Sequence, residues 1–207
     1  MKNTKKVLFC LLCMALCAVI FACASGGGAS GGAGGGAKTG EGFSGKWTYE
    51  ESADAGDGGS STITKTEADE VIDGVTVRTY KFKGTVTNKT QYGLAQVTIT
   101  PDEETLALLK TASAISFKLA GDGRPYVIEA PISTVKDWGF HRYTIKTVPG
   151  ETQEYKIDMR FFMQPAWATI VKFNKDRLTS IRIQTVNAAE GGVGPYEFKM
   201  WDMKVYQ

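Results

Sequence analysis

The chain has 207 residues, of which 43% are hydrophobic and 22% charged, and its 24 basic and 22 acidic side chains leave a net charge of +2. That near balance, without a long basic run, excludes nucleic acid and a charge-held anionic membrane surface as expected partners. A single histidine, His141, argues against Ser-His-Asp, Cys-His and histidine-rich zinc or iron centres.

Three lysines, Lys2, Lys5 and Lys6, open the chain, and residues 7–22 carry no charge. Those 16 residues are short for a membrane span of about 20. A basic start, a short apolar run and small residues at its end predict a secretory signal peptide over residues 1–22. Ile20-Phe21-Ala22-Cys23 resembles the lipobox of bacterial lipoproteins. Ile20 replaces the usual leucine, and Phe21 stands where a small residue is usual. The resemblance implies cleavage before Cys23 and a palmitate-type lipid on that cysteine. All four cysteines, Cys10, Cys13, Cys17 and Cys23, fall in the first 23 residues. Cleavage would leave Cys23 with no disulfide partner, which acylation explains; an uncleaved signal anchor is the alternative. The expected location is the cell envelope. Ala24, by analogy, offers no retention signal and points to the outer membrane.

Residues 23–42 form the expected lipid attachment and tether. The Gly/Ala/Ser stretch 24–42 cannot bury enough apolar surface to offset its ordering entropy, and as a flexible coil it spans about 22–26 Å. Its motif matches are compositional. Gly28-Ala29-Ser30-Gly31-Gly32 fits a nucleophile elbow, residues 32–37 resemble a dinucleotide fingerprint, and Ala37-Lys38-Thr39 approaches a phosphate loop. None has the strand–loop–helix setting such a motif requires.

Residues 43–207, about 165, suit one domain with a real core. The apolar period there is two. Tyr80, Phe82 and Val86 alternate with polar residues, as do Ile115, Phe117 and Leu119. Tyr155, Ile157, Met159 and Phe161 predict one strand reaching Phe161, and 179–184 and 196–200 follow the same pattern. Asp73-Gly74 predicts a two-residue hairpin turn. Residues 102–111, with an acidic first turn, give the one helical candidate. The prolines, at 101, 125, 131, 149, 165 and 195, fall between the runs or at their ends, where a sheet protein accommodates them. Many short strands separated by turns predict an all-β sandwich or jelly roll.

Several segments, in order, resemble the complex I intermediate-associated proteins and the related family-11 carbohydrate-binding modules. They are Trp47 with Asp57-Gly58-Gly59-Ser60-Ser61, then Phe82–Val86 with Tyr92–Val97, where Leu94 replaces an aromatic residue. Gly121-Asp122-Gly123-Arg124-Pro125-Tyr126, Phe162–Trp167 with Leu178–Ile181, and Tyr196–Val205 with Asp202 complete the set. The resemblance covers about residues 45–206. It implies a galactose-binding-like β jelly roll that is non-catalytic and binds a ligand, usually a glycan, on the concave sheet or along its rim.

Sugars present C–H faces that pack on aromatic rings and hydroxyls that need polar partners. The segment from Gly121 to Trp167 is densest in such groups. The site candidates are Arg124, Tyr126, Trp138, His141, Tyr143, Arg160 and Trp167. Gln184, out of phase with Ile183, joins them, as Arg160 does against Met159 and Phe161. Phe140, Phe161, Phe173 and Phe198 are expected in the core. Asp54 and Asp57, in a Gly-rich loop, are weak calcium candidates beside the simpler reading of a solvated turn. Asp202 is a calcium candidate by resemblance. No other cofactor is expected, and no carboxylate pair stands in a glycosidase-like setting. The leading expectation is therefore a lipid-anchored, non-catalytic module for an oligo- or polysaccharide. A protein-interaction or assembly module, or a structural envelope lipoprotein, is the alternative.

Overall fold

The computed structural model describes residues 40–207. The expected signal peptide, Cys23 and nearly all of the tether lie outside the described residues. Eleven strands and one α-helix follow in chain order: β1 (Phe43–Ser44), β2 (Trp47–Ala53), β3 (Thr62–Ile72), β4 (Val75–Val86), β5 (Ala95–Pro101), α1 (Glu103–Thr111), β6 (Ala114–Gly121), β7 (Pro125–Ala130), β8 (His141–Lys146), β9 (Thr152–Asp158), β10 (Ile181–Thr185) and β11 (Gly194–Tyr206). They form two antiparallel sheets. The back sheet runs β3-β4-β11-β6-β9, with β1 also paired to β11, and the front sheet runs β2-β5-β10-β7-β8. This is the expected all-β jelly-roll sandwich.

Alternation builds the core between the sheets. Phe82, Phe117, Leu119, Phe198 and Met200 of the back sheet meet Val97, Ile99, Tyr126, Ile128, Ile181 and Ile183 of the front sheet, all of them buried. Each such side chain contributes about 1.5–3 kcal/mol by leaving water. The Phe198 ring lies 5.1 Å from that of Phe82 within its own sheet and 4.9 Å, edge-on, from Tyr126 across the core. The β11 register against β6 shifts between Trp201 and Lys204, where Asp202 takes a left-handed backbone (φ 56°). The extra residue reverses the parity of the strand. Met200 is in the core before the bulge, and Met203 and Val205 are after it.

Local signals place the remaining elements. Asp73 (φ 54°) and Gly74 (φ 79°) form the β3–β4 turn, and positive φ at both positions is what a two-residue turn of matching twist requires. Helix α1 begins where the Asp102 side chain accepts a hydrogen bond from the Thr105 amide (2.9 Å), an N-cap.

The strand predicted to reach Phe161 ends instead at Asp158, whose carboxylate accepts from the Arg160 amide and opens a 3₁₀ turn over 159–161. Phe161 is consequently 58% exposed rather than in the core. Of the other expected core phenylalanines, Phe198 is buried, and Phe140 and Phe173 are half-buried and packed against the core.

Candidate functional site

The register of the front sheet fixes what its outer face presents. Ile181 and Ile183 of β10 point into the core, so Arg182 and Gln184 point outward. Two rows of facing residues then cross the sheet. One runs Glu50, Thr98, Arg182, Glu129, Arg142, and the next Ser52, Gln96, Gln184, Val127, Thr144. Loops rise around these rows and enclose a cleft of about 740 Å³. Gln96, Gln184, Arg182, Glu129 and Arg142 line its floor, and Tyr92, Trp138 and Trp167 stand on its walls. Those three rings are 67%, 73% and 63% exposed.

The floor is a linked polar network. Gln184 donates to Glu129 Oε1 (3.3 Å), and Gln96 donates to Ser52 Oγ (3.1 Å). Arg182 Nη1 stands 3.8 Å from Glu129 Oε2, and its guanidinium lies 4.9 Å from the centre of the Phe140 ring, a cation–π distance. Arg182 Nε is buried without a hydrogen-bond partner among the described residues. Burial pushes the Glu129 carboxyl up to about 7, against the opposing pull of Arg182 and Arg142. Desolvation outweighs the two arginines here.

The tryptophan wall is held by two side chains. The Asp137 carboxylate accepts from the amides of Thr169 (2.6 Å) and Gly139 (3.0 Å), bonds that hold it below the usual carboxylate range. Gln164 Nε2 donates to the carbonyls of Gly139 (2.7 Å) and Thr169 (3.2 Å), while its Oε1 accepts from the Val171 amide (2.6 Å). The segment carrying Trp138 is thereby fastened to the segment carrying Trp167. They approach so closely that a Cβ at Gly139 would collide with Ala168 Cβ. Trp138 itself has φ 64°, a left-handed conformation that costs a bulky residue about 1–3 kcal/mol and persists only where its surroundings enforce it.

Of the eight sequence candidates, the structure brings Trp138, Trp167 and Gln184 together in the cleft. The others need correction. Tyr126 is wholly buried, its hydroxyl donating to Asp122 Oδ1 (3.1 Å). Arg124 braces the turn before β7, donating to the carbonyls of Gly192 (3.0 Å) and Val193 (3.1 Å). His141 is buried with its ring 4.8 Å from Phe173, and burial lowers its pKa. Tyr143 faces the same side of β8 as Ile145, away from the cleft floor, at the sheet edge. Arg160 is tied to Asp158 through three side-chain hydrogen bonds of 2.7–3.0 Å and lines a separate groove with Lys110 and Lys175.

The calcium candidates are placed as follows. The buried Asp54 carboxylate accepts from the Ser61 amide (2.8 Å), and both Asp54 and Asp57 line one end of the cleft. Asp202 is flanked by Lys204 (2.9 Å) and Lys118 (4.0 Å). Among the described residues no group of three or more His, Cys, Asp or Glu is placed to hold a metal ion. Tyr92, Gln96, Glu129 and Arg182 were missed by the sequence reading, and Arg142 fell inside the rich segment without becoming a candidate. The parity rule that selected Gln184 also selects Arg182.

These elements define an all-β jelly roll with a loop-walled cleft on one sheet. The sequence signature described as Complex I intermediate-associated protein 30 (CIA30) matches residues 43–200, and the chain belongs to that family. Curated protein sequences give no match. Among solved structures, an exo-β-agarase is similar at 11% identity over 70% of this chain, with a TM-score of 0.43, and the chain spans 23% of its length. A structure described by its family 4 carbohydrate-binding module has 15% identity and a TM-score of 0.39, covering 77% of this chain and 86% of that one. A family 29 carbohydrate-binding module from Piromyces equi has 8% identity and a TM-score of 0.34, covering 76% and 91%.

Replacing Asp137 with alanine should free both tryptophan segments without unfolding the sandwich. Hydrogen exchange of the Gly139 and Thr169 amides is expected to accelerate about tenfold, the equivalent of one lost charge-assisted hydrogen bond, while the Ile183 amide keeps its wild-type rate. Unchanged exchange at Gly139 and Thr169 would show that Gln164 alone holds the wall.

Proposed function

We propose that this protein is a lipid-anchored, non-catalytic glycan-binding module of the bacterial cell envelope, with its ligand lying along the front-sheet cleft. One observation carries the binding reading. Two exposed indoles and an exposed phenol rim a floor of glutamine and arginine side chains, the combination that sugar C–H faces and hydroxyls require. Hydrolysis of a glycosidic bond calls for two carboxylates flanking the bond. The charged neighbours of Glu129 are instead Arg182 and Arg142, and Asp54 and Asp137 are engaged by backbone amides.

The anchoring part rests on the sequence alone: the basic start, the uncharged run 7–22 and the lipobox-like Ile20–Cys23. The outer membrane is proposed from Ala24, by analogy.

Binding is tested by screening the purified protein against a broad glycan panel, followed by calorimetry on the best ligand. Trp138→Ala and Trp167→Ala should each weaken binding about tenfold, or about 1–2 kcal/mol per lost ring. Arg160→Ala, away from the cleft, should bind as the wild type does. Two folded tryptophan variants with wild-type affinity would place the ligand elsewhere. A wild-type protein that binds no glycan would hand the lead to a protein-interaction role. For the anchor, metabolic labelling with a fatty acid should mark the wild type and not Cys23→Ser, and equal labelling of both would refute it.

A further inference from the structure

We propose that the cleft selects a glycan bearing carboxylates, such as a chain of uronic acids, and that Arg142 and Arg182 hold one of those carboxylates at the β7–β8 end. This rests on the glycan-binding reading and narrows it to a ligand class.

The first ground is unspent donors. The Arg142 side chain lines the cleft and has neither an ion pair nor a hydrogen bond among the described residues. Arg182 Nη1 stands 3.8 Å from Glu129, too far for a hydrogen bond. Two guanidinium groups therefore flank one carboxyl across three adjacent strands, in the register Arg182, Glu129, Arg142. Phe140 lies against Arg182 and restrains its planar fork.

The second ground is where the other acids go. Asp137 lies on the same wall, but its oxygens accept from Thr169 and Gly139. Asp54 is buried and bonded to Ser61. Asp54 and Asp57 both follow β2, at the opposite end from β8. At this end Arg182 and Arg142 face Glu129 and Asp137, so the charges balance while Glu129 is ionised and one guanidinium is in excess when Glu129 is neutral. A hydroxyl would leave that excess uncompensated. A carboxylate neutralises it and matches the guanidinium fork with two parallel hydrogen bonds.

Glu129 gives the site a pH dependence of known sign. The groups facing it are Arg182 and Gln184 from β10, Arg142 from β8, and Asp137 and Phe140 from the overlying loop. Above about pH 7 Glu129 is ionised and competes with the ligand for the arginines. Below that pH it is neutral, while a uronate with an ordinary carboxylate pKa of about 4 stays charged. Affinity should therefore rise as pH falls from 8 to 6. Desolvation lowers the pKa of the buried His141, which disfavours its charged form.

The test uses trimers of galacturonic, glucuronic and mannuronic acid, each beside its methyl ester and a neutral hexose trimer. Calorimetry on the purified protein at pH 6 should find at least one acid bound about tenfold more tightly than its ester, the value of one charge-assisted contact. Arg142→Gln should collapse that ratio toward one. Glu129→Gln should bind at pH 8 as the wild type does at pH 6. Esters or neutral trimers bound as well as the acids would overturn the inference and leave glycan binding standing. An acid preference unchanged in Arg142→Gln would also overturn it. Binding to no saccharide, charged or neutral, would remove both.

Discussion

Strand β10 must bury Ile181 and Ile183, and nearly everything on the outer face of the front sheet follows from that requirement. Successive strand residues point to opposite faces, so Arg182 and Gln184 are turned outward, and a slip of one residue would exchange the two sets. β10 also lies in the middle of the sheet, between β5 and β7. Its register is transmitted sideways to Gln96 and Thr98 on one flank and to Glu129 and Arg142 beyond the other. The core therefore specifies the cleft floor. Polar groups are held there on rigid backbone, where the geometry needed to recognise hydroxyls or a carboxylate is preserved.

The walls obey a different constraint. They are loops, and a loop presenting an exposed indole has little hydrophobic reason to stay in place. Asp137 and Gln164 supply the restraint by satisfying the backbone groups of both tryptophan segments. The left-handed backbone at Trp138 is the cost of the arrangement. Restraint of this kind reduces the entropy lost when a ligand packs on the ring.

Much of the fold was legible in the sequence, because alternation, turn chemistry and helix capping are local. The Asp73-Gly74 turn and the Asp102 cap stand where the residues put them. The β9 end was misread because the apolar period continues past Asp158, whereas its carboxylate starts a turn. The site was only partly legible. Parity reveals that Gln184 leaves the core, but not that the front sheet is the one roofed by loops. That depends on the β7–β8 connection folding back so that Phe140 meets Arg182. The most family-like segment, Gly121–Tyr126, misled for a related reason. It is a structural corner in which Asp122 accepts from the Arg124 amide, the Tyr126 hydroxyl and the Glu197 amide. A strong motif with aromatic and charged residues resembles a site in sequence even when those residues are spent on bonds within the fold.

On the proposed reading, the outer face of the front sheet binds the ligand. The back sheet offers a direct contrast, since it presents charged pairs such as Lys81–Glu197 (2.7 Å). Amide and indole chemical shifts of isotope-labelled protein, followed during titration with a bound oligosaccharide, distinguish the two faces in one measurement. Saturable changes are expected at Gln96, Glu129, Arg142, Arg182 and Gln184 and at the indoles of Trp138 and Trp167. Changes confined to Lys81, Lys83, Glu197 and Lys199, with the front-sheet signals still, would contradict that reading.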